Sequence, residues 1–219
     1  MAHQLNTAVW IGQGGNLEIK KTIQFRTNTK YFTTKVVLKN VGSTTMFNVE
    51  YMRNVDPDQG QPHGCGYSTN NYVKYDPVDR PKTVGDNTAL VIAKGLSSCG
   101  NMVCGLGTVH ANARVNHFGF RNDDADAVVG ASRIWHGATE SSPKNADEGI
   151  NLAYRFDTLE AGSSVSFAFA YVLSETDLNA AMVGYIFCFT FLVLLGLYIF
   201  LFVIPDSLSL SLSLSLSLS

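Results

Sequence analysis

The chain has 219 residues, of which 46% are hydrophobic and 16% are charged, and its formal net charge is -2. This apolar content and low net charge exclude an intrinsically disordered protein. The same charge argues against a basic nucleic-acid-binding domain, so no nucleic-acid partner is expected. The length suits one domain of ordinary size followed by a tail.

The first 16 residues precede the first clear secondary-structure pattern. The sequence MAHQLNTAVWIGQGG lacks the basic start and the long apolar core of a signal peptide. Its glycines at 12, 14 and 15 are typical of turns rather than of a phosphate-binding loop, because no helix pattern follows them. We therefore predict an N-terminal segment at 1–16 and a folded domain at 17–178.

The domain at 17–178 is predicted to be all-β. Short runs of β-branched and aromatic residues alternate with Gly, Asn, Asp, Ser and Pro, which is the pattern of strands joined by turns. The predicted strands are Leu17–Phe25, Tyr31–Leu38, Met46–Arg53, Tyr72–Tyr75, Ala89–Ala93, Met102–Val109, Arg114–Phe120, Ile150–Phe156 and Val165–Leu173. Strands without intervening helices favour an antiparallel two-sheet sandwich.

Two details of this sandwich follow from the alternation of residue types. Val165, Phe167, Phe169, Tyr171 and Leu173 share one face of the last strand and are predicted to face the core. The preceding strand places Ile150, Leu152, Tyr154 and Phe156 on one face as well. The two strands are predicted to pair as a closing hairpin. In the turn at 40–45, Gly42 is predicted to take a left-handed conformation.

Two stretches carry a resemblance to a known kind of domain. KVVLKNVGSTTMFNVEYMRNVDPDQG at 35–60 and FDTLEAGSSVSFAFAYVL at 156–173 resemble parts of the immunoglobulin-like or supersandwich β-sandwich modules that repeat in large surface-exposed proteins. The resemblance implies a structural or adhesive module, usually extracellular, and a chain that is a fragment of a longer protein.

The C-terminal region is different in character. Residues 182–204 read MVGYIFCFTFLVLLGLYIFLFVI, without a charge, and an apolar helix of this length crosses a bilayer. Residues 205–219 form a Ser-Leu low-complexity tail. Because a TC repeat encodes Ser-Leu and T-rich DNA encodes mostly apolar residues, a second hypothesis is that 184–219 arise from a missed splice site.

The apolar segment at 182–204 predicts a single-pass membrane protein if it is translated. Neither flank carries the Lys or Arg residues that would fix its orientation. The domain is expected in the cytosol if the chain is tail-anchored, and outside the cell if its N-terminus is incomplete.

Acidic residues in three loops are candidate calcium ligands. Ca²⁺ takes six to eight oxygen ligands, and loops at one end of a sandwich could bring several carboxylates together. The candidates are Asp56, Asp58, Asp123, Asp124 and Asp126, with Asp76 and Asp79 between them in sequence. The alternative is that these residues simply form solvated turns, which favour Asp beside Pro and Gly.

The cysteines admit three interpretations. Cys65, Cys99 and Cys104, with His63 and His110, could bind zinc, although their spacing fits neither a finger nor a ribbon. A disulfide between Cys99 and Cys104 is the second interpretation and requires an oxidising compartment. The third interpretation, which we favour, is ordinary buried or free thiols, with Cys188 in the apolar tail.

The sequence predicts a non-catalytic structural or interaction module with an unidentified protein or glycan ligand and no cofactor. It contains no Gly-x-Ser-x-Gly elbow, and no pair of carboxylates can be singled out as an acid and a base. The first alternative is a calcium-dependent carbohydrate- or protein-binding module, and the second is a fragment of a sugar-acting enzyme.

Overall fold

The computed structural model describes residues 4–76, 87–117 and 142–182, together with the backbone at 128–129 and 132–133. Most of these residues lie in strands. The strands are β1 Leu5–Gly14, β2 Leu17–Arg26, β3 Tyr31–Asn40, β4 Met46–Val55, β5 Thr69–Tyr75, β6 Thr88–Lys94, β7 Val103–Val109, β8 Ala113–His117, β9 Val128–Val129, β10 Ser132–Arg133, β11 Lys144–Ala146, β12 Ile150–Leu159 and β13 Ser164–Val172. Two short 3₁₀ helices lie at Gln61–His63 and Ser97–Cys99.

The described strands form antiparallel sheets. The larger sheet has eight strands in the order β1-β2-β3-β13-β7-β6-β5-β11, and a second sheet has three in the order β4-β12-β8. Strands β9 and β10 pair with each other. The prediction of an all-β, sandwich-like fold with antiparallel sheets is therefore confirmed.

Each of the nine predicted strands overlaps a strand of the structure, but four described strands were missed: the ten-residue β1 and the short β9, β10 and β11. No strand was predicted within the N-terminal segment at 1–16, whereas Leu5–Gly14 forms β1 at an edge of the larger sheet. A two-residue turn joins it to β2, and Gly15 in this turn has a φ of 58°. A positive φ at the first central position is what a tight hairpin turn of type I′ or II′ requires.

The predicted hairpin between the last two strands is wrong. β12 pairs with β4 and β8 in the smaller sheet, whereas β13 pairs with β3 and β7 in the larger one. Both strands have a strongly apolar face. A sandwich buries two such faces by placing the strands in opposite sheets, where the faces can pack together.

The core lies between the two sheets. Val36, Leu38, Phe167 and Phe169 come from the larger sheet, and Ile150, Leu152, Tyr154 and Phe156 come from the smaller one. The predicted core faces of β12 and β13 are thus confirmed. Leu173 is the exception, because it follows the end of β13 and is 53% exposed.

A buried hydroxyl group links the two sheets. The Tyr154 hydroxyl of β12 donates a hydrogen bond of 2.9 Å to the Ala168 carbonyl of β13. Thr108 of β7 donates to the same carbonyl, at 2.7 Å. Residues 170–172 of β13 pair with β7, and Ala168 lies outside this ladder. The side chains of Tyr154 and Thr108 therefore satisfy the Ala168 carbonyl.

Asn40 joins two chain reversals. Its side-chain nitrogen donates to the carbonyls of Thr44, at 2.7 Å, and Leu159, at 2.9 Å. Its side-chain oxygen accepts a bond from the Gly42 amide. Gly42 is not among the residues with positive φ, so its predicted left-handed conformation is wrong. A Cβ at Gly42 would instead lie 2.8 Å from the Asn16 side chain, and this close approach favours glycine.

The segment that follows β13 packs on the outer face of the larger sheet at β7. Residues 178–182 are helical, and Leu178, Ala181 and Met182 are buried. A Cβ at Gly107 would lie 2.8 Å from a Leu178 methyl group, so Leu178 packs directly over that glycine.

The predicted membrane span at 182–204 and the tail at 205–219 lie outside the described residues, apart from Met182. Among the residues that are described, no helix combines the length and apolar character needed to cross a membrane.

Candidate functional site

The ends of two paired strands bring three acidic residues together. Val55, the last residue of β4, pairs with Ile150, the first residue of β12. The loop that leaves β4 therefore lies beside the connection that enters β12. One carboxylate oxygen from each of Asp56, Asp58 and Asp147 can be chosen so that all three lie within 4.8 Å of one another.

This group agrees only in part with the predicted calcium ligands. Asp56 and Asp58 are both present, whereas Asp123, Asp124 and Asp126 lie outside the described residues, as does Asp79. Asp76 is fully buried at the end of β5 and does not belong to the group. Asp147 was missed, because its proximity to Asp56 depends on the β4–β12 pairing and not on their separation in sequence.

Two buried oxygen atoms in this loop lack hydrogen-bond partners. Within the described part of the chain, neither Asp58 Oδ1 nor Gln59 Oε1 has a partner. The orientation of the Gln59 side chain is fixed, because its amide nitrogen donates to the Ala93 and Met102 carbonyls at 3.0 and 3.2 Å. Buried oxygens of this kind normally bind a donor or a cation.

The electrostatics of the group favour a bound cation. Partial burial raises the pKa of Asp56, and the negative charges of Asp58 and Asp147 and a hydrogen bond with Asp58 raise it further. Neighbouring carboxylates resist simultaneous ionisation. A divalent cation would remove this repulsion and stabilise the ionised forms.

A cleft of about 410 Å³ adjoins the acidic group. Its lining residues are Asp56, Pro57, Asp58, Gln59, Met102, Val103, Cys104 and Leu173. The lining therefore combines two carboxylates with mostly apolar side chains. We call Asp56, Asp58, Gln59 and Asp147, together with this cleft, the loop-end site.

None of the three interpretations of the cysteines holds for every cysteine that the structure describes. Cys104 is a free thiol, so the alternative of a Cys99–Cys104 disulfide is wrong. Cys65 is disulfide-bonded, so the favoured interpretation, buried or free thiols, is wrong for Cys65. Burial raises the pKa of Cys104 to about 11, which keeps this thiol protonated and poorly nucleophilic. Of the other predicted zinc ligands, the side chains of Cys99 and His63 lie outside the described residues. Cys188 lies outside them as well.

Two other polar clusters have structural partners. Glu148 binds His117 at 3.0 Å and also pairs with Lys144. Glu175, which follows β13, pairs with Lys74 at 3.3 Å and with Lys94 at 3.1 Å. These ion pairs connect separate segments of the chain. They account for the positions of the Glu148 and Glu175 carboxylates by a structural role.

Comparison with protein-family models finds no match to this chain, and comparison with curated protein sequences finds none either. The class that can be stated is therefore the one that the strands define, an all-β protein of antiparallel sheets packed as a sandwich. What the protein does has to be inferred from the loop-end site and the exposed surfaces.

Proposed function

We propose that this protein is a non-catalytic interaction module that binds a protein or glycan ligand at the loop-end site. The observation that carries the proposal is the 410 Å³ cleft, which combines an apolar wall with grouped carboxylates. Ligand sites commonly combine an apolar surface with a few placed polar groups. The resemblance to repeated surface-exposed β-sandwich modules supports the same function.

A second candidate is a calcium-dependent form of this module. Ca²⁺ binds oxygens at 2.3–2.6 Å, so oxygens on opposite sides of one ion are separated by about 5 Å. One carboxylate oxygen from each of Asp56, Asp58 and Asp147 lies within 4.8 Å of the others, so a single ion could contact all three. The unpartnered oxygens of Asp58 and Gln59 specifically favour the calcium-dependent form. Water or ligand oxygens would complete the coordination.

Thermal unfolding of the full chain in Ca²⁺ and in EDTA tests the second candidate. We expect Ca²⁺ to raise the Tm, because a ligand that binds only the folded state adds about 2.7 kcal/mol at a hundred times its Kd. Asp58→Asn should abolish this rise. Asp157→Asn removes the same charge from an exposed position on β12 and should preserve it.

Glycan-array binding of the labelled chain separates the remaining alternatives. Binding by wild type that Ca²⁺ does not alter would support the interaction module without a metal. Binding that Asp58→Asn and EDTA both remove would support the calcium-dependent module. Hydrolysis of a bound glycan, lost on Asp56→Asn, would instead support a sugar-acting enzyme and contradict the proposal.

The location of the module is also a proposal. The Cys65 disulfide supports an oxidising compartment, where such bonds persist, and therefore an extracellular domain. Anchoring through 182–204 requires that this segment be translated. RNA sequencing across codons 178–219 tests that requirement, because a spliced transcript lacking codons 184–219 would remove the proposed anchor.

A further inference from the structure

The outer edge of β1 lacks the features that usually prevent strand pairing. Its sequence LNTAVWIGQG contains no charged residue and no proline. It pairs with β2 over ten consecutive residues without a bulge. On its other side, no strand of the described ranges pairs with it. A long, regular and apolar free edge is a template for another strand.

The other edges of the two sheets differ from β1 in this respect. The opposite edge strand of the larger sheet, β11, has only three residues, begins with Lys144 and follows Pro143. In the smaller sheet, β4 carries Glu50 and Arg53, and β8 has five residues with Arg114 among them. Shortness, charge and proline are the usual means of blocking an edge. Only β1, among the edges of these two sheets, has none of them.

The turn at Gly15 determines which backbone groups of β1 are free. Gly14 and Leu17 flank the two-residue turn and therefore form a hydrogen-bonded pair. Because hydrogen-bonded and outward-pointing residues alternate along an antiparallel strand, every second residue of β1 points away from β2. The outward-pointing residues are Leu5, Thr7, Val9, Ile11 and Gln13.

We propose that β1 pairs antiparallel with β1 of a second copy of this chain, about a twofold axis that passes through Val9. Val9 is the middle residue of the outward-pointing set. In this register Leu5 pairs with Gln13 of the second copy, Thr7 with Ile11, and Val9 with Val9. All the outward-pointing N–H and C=O groups at 5–13 then find partners, which no other symmetric register achieves.

The side chains of β1 fit this register. Val9 and Ile11 are 57% and 60% exposed, and pairing would join them to their equivalents in one apolar stripe. On the other face, Trp10 would lie opposite the small residue Ala8 of the second copy. Lys21 lies over the Trp10 ring, with its Nζ 4.3 Å from the ring centroid, and so helps to position the ring.

The lack of charge on β1 favours a second copy over a charged partner strand. A twofold axis places the centre of the strand against itself, so a charge near Val9 would face an identical charge. The strand contains no such charge. This interaction goes beyond the loop-end site and does not depend on it, so either proposal can fail while the other stands.

Sedimentation velocity of the full chain, in a density-matched non-ionic detergent, tests the pairing. We expect wild type to form a dimer and Val9→Lys to be a monomer, because the variant places two ammonium groups on the axis. Phe47→Lys, at a 70% exposed position on β4, is the matched control and should remain a dimer. Unchanged Tm values would show that neither variant unfolds the domain.

Cysteine cross-linking tests the register. The two copies of Val9 lie on the twofold axis, and their Cα atoms are about 5.5 Å apart, which is within the range of a disulfide. Ile11 and Ile11 of the second copy are offset along the strands by four residues, about 13 Å, which is too far. Val9→Cys should therefore form a covalent dimer, and Ile11→Cys should form at most a tenth as much. A monomeric wild type, a Val9→Lys dimer, or equal cross-linking by both variants would overturn the proposal.

Discussion

At the scale of single residues, the buried side-chain amide of Asn40 forms hydrogen bonds with two separate connections of the chain. It is fully buried, and its side chain bonds to Thr44, Leu159 and Gly42. The first and last of these lie in the turn after β3, whereas Leu159 ends β12. One side chain therefore fixes the positions of two connections that are far apart in sequence.

Asn40→Ala should lower the free energy of unfolding by about 3 kcal/mol, because the buried Leu159 carbonyl, the Thr44 carbonyl and the Gly42 amide all lose their side-chain partner. Urea unfolding measures this loss. Asn145→Ala is the control, since Asn145 is exposed and its bond to Asn70 is 3.4 Å long; its effect should be within about 0.5 kcal/mol. Equal effects of the two variants would contradict the role of Asn40.

The disulfide of Cys65 permits a redox prediction. Reduction should lower the free energy of unfolding by about 2–4 kcal/mol, because the unfolded chain gains freedom. Thermal unfolding with and without a reductant measures this change. Cys65→Ser should lose the sensitivity to reductant, and Cys104→Ala should keep it, because Cys104 is a free thiol. If Cys104→Ala lost the sensitivity instead, the bonding assignment would be wrong.

The sequence predicted the residues of the candidate site only in part, and the reason is physical. Asp56 and Asp58 stand out because they flank a proline after a strand. Asp147 has no comparable local signal, and it joins them only through the pairing of Val55 with Ile150. Alternation of residue types indicates which face of a strand is buried, but it does not indicate which strand lies alongside.

At the scale of elements, the segment after β13 is held to the sheet by Glu175. Burial raises the pKa of its carboxyl group, but hydrogen bonds from Tyr72, Lys94 and Lys74 outweigh burial and lower the pKa below 4.5. The folded state therefore favours the ionised form more than the unfolded state does. This contribution to stability is present above pH 4.5 and is lost as the pH falls through the lowered pKa.

Glu175→Gln should therefore destabilise the protein at pH 7 and have a smaller effect at pH 3. The measurement is the free energy of unfolding at both values, with Asp157→Asn as a control that removes one negative charge from an exposed position. A Glu175→Gln effect that is equal at pH 3 and pH 7 would show that its ion pairs do not stabilise the fold.

The prediction of elements succeeded for β12 and β13, where the alternation is regular, and failed for β1. β12 and β13 have uninterrupted patterns, and their core faces were predicted correctly. β1 contains Gly12 and Gly14, which indicate a loop when considered alone. Hydrogen bonding to β2 along its whole length outweighs the entropic cost of these glycines, and that contribution is invisible in the sequence of β1 itself.

At the scale of the whole molecule, the number of strands and the lack of helices between them were sufficient to predict a sandwich. The assignment of strands to sheets was not predictable, because consecutive strands such as β3 and β4, or β12 and β13, lie in different sheets. Local turn signals favour pairing of neighbours in sequence. The burial of two apolar faces against each other instead places these neighbouring strands in opposite sheets.

The order of strands has a consequence for biosynthesis. Of the strands that the structure describes, the last two to leave the ribosome are β12 and β13; both are interior strands, and each joins segments that were made much earlier. Without β13, the larger sheet is divided into β1-β2-β3 and β7-β6-β5-β11, and without β12 the smaller sheet has no pairs. The nascent chain therefore cannot complete either of these sheets before β12 and β13 are made, and we expect folding to follow the emergence of Val172.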